Sequence, residues 1–137
     1  MALPRLHSRV SWRLAVLLPL CGLAACATPG PASVTEVLDR PAERQLVAGL
    51  RLYDDAQYPE AEKALKEALR LRPASPRDVA TAHKVLAFIY CTSRREAACE
   101  QAFRAARSVD PQFSLGRAEA GHPLWGPVYQ RSLQGSP

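Results

Sequence analysis

Histidine is scarce in this chain of 137 residues: His7, His83 and His122 lie far apart. A zinc site gathers three or four ligands, so scattered histidines give no metal-binding pattern. The sequence has no HExxH, no phosphate-cradling loop and no paired carboxylates spaced for acid–base work. No serine or cysteine has an evident histidine partner, so no enzyme is expected, and neither a cofactor nor a small-molecule substrate. Long apolar runs are missing too. The apolar stretch at 14–25 holds twelve residues broken by Pro19, whereas a membrane-spanning helix needs about 20. The length itself excludes a large multi-domain protein and allows one modest domain.

What the first 25 residues lack is acid. They carry Arg5, Arg9 and Arg13, then the short apolar run, which is the layout of a secretory signal. The run ends Leu23-Ala24-Ala25-Cys26, which closely resembles the bacterial lipobox. Small residues let the peptide enter a narrow protease site, and the Cys26 thiol accepts diacylglycerol. An ordinary signal cut beside Cys26 is the alternative. Lipidation implies a mature chain beginning at Cys26 with acyl and diacylglycerol groups as its only covalent additions. Each buried CH₂ contributes ~0.8 kcal/mol, so several chains anchor stably. Ala27 is not Asp, which by resemblance to known sorting rules favours the outer membrane, periplasmic face. That compartment is oxidising.

Removing 1–25 changes the charge. Lys plus Arg falls from 18 to 15, Asp plus Glu stays at 13, and net charge falls from +5 to +2. The hint of a nucleic-acid partner goes with the leader. The chain divides into a leader at 1–25, an acylated Cys26 with a Pro/Gly linker at 26–33, and a helical domain at 34–137. Ser33, three residues before Glu36, marks a short helix at 34–38. Asp39, before Arg40-Pro41, marks the next helix start.

The domain contains an internal repeat. The tetratricopeptide pattern is a 34-residue helical hairpin with small and large residues at fixed places. Gly49 and Leu52, then Ala61, Leu65 and Ala68, fill the first copy, and Pro73 closes it. Leu86, Ala87 and Tyr90, then Cys99, Phe103 and Ala106, fill the second, and Pro111 closes it. The closing prolines are 38 residues apart, with the surplus assigned to the loop at 73–76. Ser75, Pro76 and Asp78 would start the third helix. A generic four-helix bundle is the competing description. Two repeats need cover, because such stacks require about three units. The segment 113–133, with Trp125, Val128, Tyr129 and Leu133, is expected to form a C-terminal helix from Pro127 that caps the second hairpin. The fold class is therefore all-α: two tetratricopeptide-like hairpins and a capping helix behind a leader and linker.

Beyond Cys21 and Cys26 only Cys91 and Cys99 remain, eight apart across an expected turn at Thr92-Ser93-Arg94. In an oxidising compartment they can form a disulfide, although the helical register is off by about one turn. Otherwise Cys99 replaces the usual small Ala and Cys91 is simply buried. His83 reads as helix packing, His122 as a helix-end cap, and Asp54-Asp55 as residues of a turn. Arg94, Arg95, Arg104 and Arg107, interleaved with Glu96 and Glu100, read as a solvated face with i,i+4 pairs.

In such a fold the first helix of each hairpin lines a concave groove. Position places Glu43, Leu46, Leu50 and Tyr53 there, then Thr81, Lys84, Phe88 and Cys91. This apolar strip takes either an amphipathic partner segment or the chain's own terminal helix. A carboxylate clamp is not reproduced, since only Lys84 has its chemistry.

The stretch from His83-Lys84 through Leu86-Ala87-Phe88-Ile89-Tyr90-Cys91, Arg95, Cys99, Phe103-Arg104, Asp110-Pro111, Phe113, Leu115 and Ala118-Glu119 to Gly121-His122-Pro123 and Trp125-Gly126-Pro127 resembles the TssQ family. These are small tetratricopeptide-type lipoproteins associated with bacterial type VI secretion, and the resemblance covers most of 49–129. It implies an accessory envelope protein that binds a secretion-system component, and it transfers no residue roles. An adaptor in pilus or outer-membrane assembly is the other expectation. A structural tether with a self-filled groove is the third.

Overall fold

The computed structural model describes residues 39–134. The leader, Cys26, the linker and the helix expected at 34–38 lie outside the described residues. Within them the chain is all-α, with no strand. Helix α1 runs Pro41–Asp54, α2 Tyr58–Leu71, α3 Pro76–Thr92 and α4 Glu96–Val109; a single turn, α5, runs Arg117–Ala120, and α6 runs Gly126–Gln134. Proline opens α1 and α3 at a position whose N–H has no helical partner.

Helices α1 and α2 form one antiparallel hairpin and α3 and α4 a second; α6 packs on α4. The second helix of each hairpin buries a stripe at helical spacing: Ala61, Leu65 and Ala68 on α2, and Cys99, Phe103 and Ala106 on α4. The close approach of α1 to α2 requires Gly49, where an added Cβ would lie 2.7 Å from Leu65 Cγ. Helix α3 is the most buried, because it meets both α2 and α4.

The two hairpins repeat bond for bond at an offset of 38. Gln57 N–H donates to the Leu52 carbonyl at 2.8 Å, and Arg95 N–H to the Tyr90 carbonyl at 2.8 Å. Ala61 N–H bonds Gln57, and Cys99 N–H bonds Arg95, both at 2.9 Å. Each turn pivots on one left-handed residue, Ala56 (φ 58°) or Arg94 (φ 59°). Neither is glycine, so each turn costs about 1–2 kcal/mol of backbone preference. This tight turn corrects the expected register: Cys91 and Cys99 are disulfide-bonded, with Cα atoms 5.3 Å apart.

Several local expectations shift. The α1 N-cap is Arg40, one residue after Asp39, and its carbonyl accepts the Arg44 N–H. Ser75 holds the α3 N-cap, but its carbonyl rather than its hydroxyl accepts the Asp78 N–H at 3.0 Å. Buried Glu43 ties the inter-repeat loop to α1, accepting the Ala74 N–H at 3.0 Å. Helix α6 starts at Gly126, one residue before Pro127, and a Cβ there would lie 2.5 Å from the Ala120 carbonyl oxygen. The C-terminal segment does cap the second hairpin. Tyr129 packs edge-on against Phe103 with centroids 5.2 Å apart, and its hydroxyl accepts the Leu115 N–H at 3.3 Å.

The arginine face is only partly local. Glu100 and Arg104 pair at i,i+4, as expected. Arg95 instead crosses to Glu62 on α2 at 2.6 Å, and Arg131 of α6 bonds Glu96. Arg107 reaches the Ser132 carbonyl at 3.4 Å. These bonds run between elements, so they lock hairpin to hairpin and hairpin to cap.

The Glu62 node carries a pH signature. Arg95 and then Lys66, at 2.5 Å, hold its carboxyl at about 2, against an ordinary 4.5. The folded value is depressed, so the stabilisation is present above pH 4.5 and is lost as pH falls toward 2. Chemical denaturation at stepped pH should show wild-type stability dropping across that window more steeply than Glu62→Gln. Parallel slopes in the two proteins would contradict the assignment.

Candidate functional site

The groove residues separate into two groups. Leu46 and Phe88 are core residues, 5% and 4% exposed, so neither is open surface as the sequence reading expected. Glu43 is equally buried and bonds the loop. Lys84 is not free for a partner's carboxylate either, since its ammonium bonds Glu119 Oε1 at 2.7 Å. Leu50 and Tyr53 remain half-buried at the α1 end. The chain's own C-terminal segment therefore takes the α3 half of the groove, one of the two occupants the sequence left open.

Its seat is built from a few contacts. Trp125 stacks on Phe88 with centroids 4.3 Å apart, and His122 stacks on Trp125 at 3.4 Å. Trp125 Nε1–H donates to the Glu119 carbonyl at 2.8 Å, which closes the segment on itself. His122 also meets its capping expectation: Nδ1 accepts the Leu124 N–H at 3.2 Å and its carbonyl the Gly126 N–H at 2.8 Å. The Lys84 ammonium lies 5.7 Å from the Phe88 ring centre, so cation, ring and carboxylate share one spot. Leu124 stays 55% exposed at the edge of this seat.

The aromatic rings continue past the covered half. Phe88 meets Tyr53 at 6.4 Å, and Tyr53 meets Tyr58 at 5.6 Å. Tyr58 is 38% exposed. Burial first, then Tyr58, Asp54 and Glu119, raise the Tyr53 hydroxyl above its ordinary value. Sequence position alone located Leu50 and Tyr53. It missed Tyr58, which belongs to the second helix but turns back onto the same face.

A second concavity lies on another side of α3. A cleft of about 300 Å³ is lined by Lys66, Leu69, His83, Tyr90 and Gln101, with Ala98, Ala102 and Ala105 as its wall. His83 is half-buried there rather than packed away, and burial lowers its pKa, favouring the neutral imidazole. Among the described residues no cluster of three His, Cys, Asp or Glu could hold a metal ion. No helix of the described residues is long and apolar enough to cross a membrane. No family model, curated protein or solved structure matches the chain.

Proposed function

We propose that the protein is a lipid-anchored adaptor on the periplasmic face of the outer membrane. Its helical domain binds a segment of another envelope protein, and by the TssQ resemblance that protein belongs to a type VI secretion complex. The observation that carries the adaptor reading is the half-covered aromatic groove. The C-terminal segment occupies Lys84 and Phe88, while Leu50, Tyr53 and Tyr58 stay accessible beside it. The 38-residue repeat supports a tetratricopeptide-like scaffold, in which such a face is where partners dock.

The anchor rests on Leu23-Ala24-Ala25-Cys26. Radiolabelled palmitate should enter the wild-type chain and be absent from Cys26→Ala. The wild type should fractionate with outer membranes, and Cys26→Ala should leave them. Equal labelling of both chains would remove the lipoprotein reading and leave the groove to be judged separately.

A further inference from the structure

The stretch that covers the groove is fastened differently from the cap that follows it. Helix α6 buries Val128, Tyr129 and Ser132. Leu115 is buried as well, and its N–H donates to the Tyr129 hydroxyl at 3.3 Å. Between these two anchored points none of residues 116–125 is buried, and Leu124 is 55% exposed.

The backbone bonds of 116–125 stay local. Ala120 N–H donates to the Gly116 carbonyl at 2.8 Å, Gly121 N–H to Arg117 at 3.2 Å and His122 N–H to Glu119 at 3.2 Å. Gly116 N–H turns to Glu119 Oε2 at 3.1 Å, and the Trp125 indole N–H to the Glu119 carbonyl. None of these bonds reaches α3, so lifting the stretch as one unit breaks no backbone bond to the groove. Side chains alone hold it down. Glu119 pairs with Lys84, and Trp125 stacks on Phe88 while Ala120 packs against the same cluster. The paired side chains are 26% and 35% exposed, and an ion pair so open to water contributes little.

We propose that residues 116–125 are a displaceable lid, and that a partner segment removes it by setting an aromatic ring on Phe88 and a carboxylate on Lys84. The seated lid identifies its competitor, because it fills the site with these same two groups. Charge selects in the same direction. When Glu119 leaves, the Lys84 ammonium stands 5.7 Å from the Phe88 ring centre without its carboxylate, which an acidic segment restores and a basic one does not. Leu115 and α6 stay in place, so the second hairpin keeps its cap while the lid is off. The inference rests on the adaptor reading and adds the partner's chemistry and the element that gates it.

The test uses the acylated full-length protein in zwitterionic nanodiscs and a peptide with the sequence of residues 116–125, which carries both groups. A copy of the peptide with Trp125→Phe leaves the protein's Trp125 as the reporter. Its titration should shift Trp125 emission to the red and saturate. A twin that also carries Glu119→Gln should not. In anisotropy, protein with Glu119→Gln and Trp125→Ala should bind the labelled peptide about fivefold or more tightly than wild type, because a closed lid lowers apparent affinity by the fraction open. Glu119→Gln alone, which keeps the indole, should bind more tightly than wild type by a smaller factor. Adding Lys84→Gln should cancel either gain. Equal affinity in wild type and both lid variants, binding that leaves Trp125 emission unchanged, or no binding at all each overturns the proposal. Cross-linking in cells from Tyr58, on the open half, reads the adaptor role without the lid, so the two failures are distinguishable.

Discussion

Phe103→Ala should cost about 3–5 kcal/mol of folding stability, the largest loss of any single truncation considered. Phe103 is wholly buried, and its ring joins the hairpin to the cap. It lies in the second hairpin, its ring meets Phe88 of α3 edge-on at 6.0 Å, and it meets Tyr129 of the cap at 5.2 Å. Truncation opens a cavity at the junction of hairpin, groove floor and cap. A domain of this size holds roughly 5–15 kcal/mol in reserve, so the loss takes a large share. Thermal melting by circular dichroism should show a drop of more than about 10 °C. The cap should loosen with it. Trp125 is the only tryptophan after Trp12, so the burial of one indole reports the seat. Phe103→Leu keeps most of the volume and should cost much less. A Phe103→Ala protein that melted within about 2 °C of wild type would mean this core is not the structural centre.

Removing the disulfide should cost about 2–3 kcal/mol, through Cys91→Ala with Cys99→Ala or through reduction. The magnitude follows from the short loop, eight residues of sequence separation. The first hairpin predicts how the loss will look. Tyr53 and Ala61 hold the matching positions there, and the turn between them makes the same hydrogen bonds without a bridge. The bridge therefore does not shape the turn; in the chain-entropy description it restricts the unfolded chain. Reduced protein should keep its helical signal at low temperature yet unfold at lower urea. The double alanine variant should unfold at the same urea with and without reductant. A reduced chain that lost helix outright would show that the turn depends on the bridge.

The hairpins were legible in the sequence because packing imposes residue size. Gly49 and Ala87, Leu65 and Phe103, and Ala68 and Ala106 recur at one offset, since close helices demand small residues and the gaps demand large ones. The turn geometry was not legible. Its left-handed residues are Ala56 and Arg94, and neither carries the glycine signal that announces such a backbone. That is why the Cys91–Cys99 register looked one turn wrong. The capping helix was readable from Val128 and Tyr129, but the short α5 and the Trp125 seat were not. They depend on meetings such as Lys84 with Glu119, 35 residues apart, which no local periodicity encodes. The fate of the groove followed from the same long-range contacts: position found the strip, and only the packed structure divided it into a covered half and an open one.

The central claim is that the open half of this face binds an envelope protein. A photo-reactive phenylalanine analogue placed at Tyr58, and separately at Gln101 in the α2–α4 cleft, tests it in intact cells. A discrete adduct is expected from position 58, mapping by mass spectrometry to one segment of one envelope protein, with little from position 101. No adduct from position 58, or the same adducts in equal yield from both positions, would contradict it.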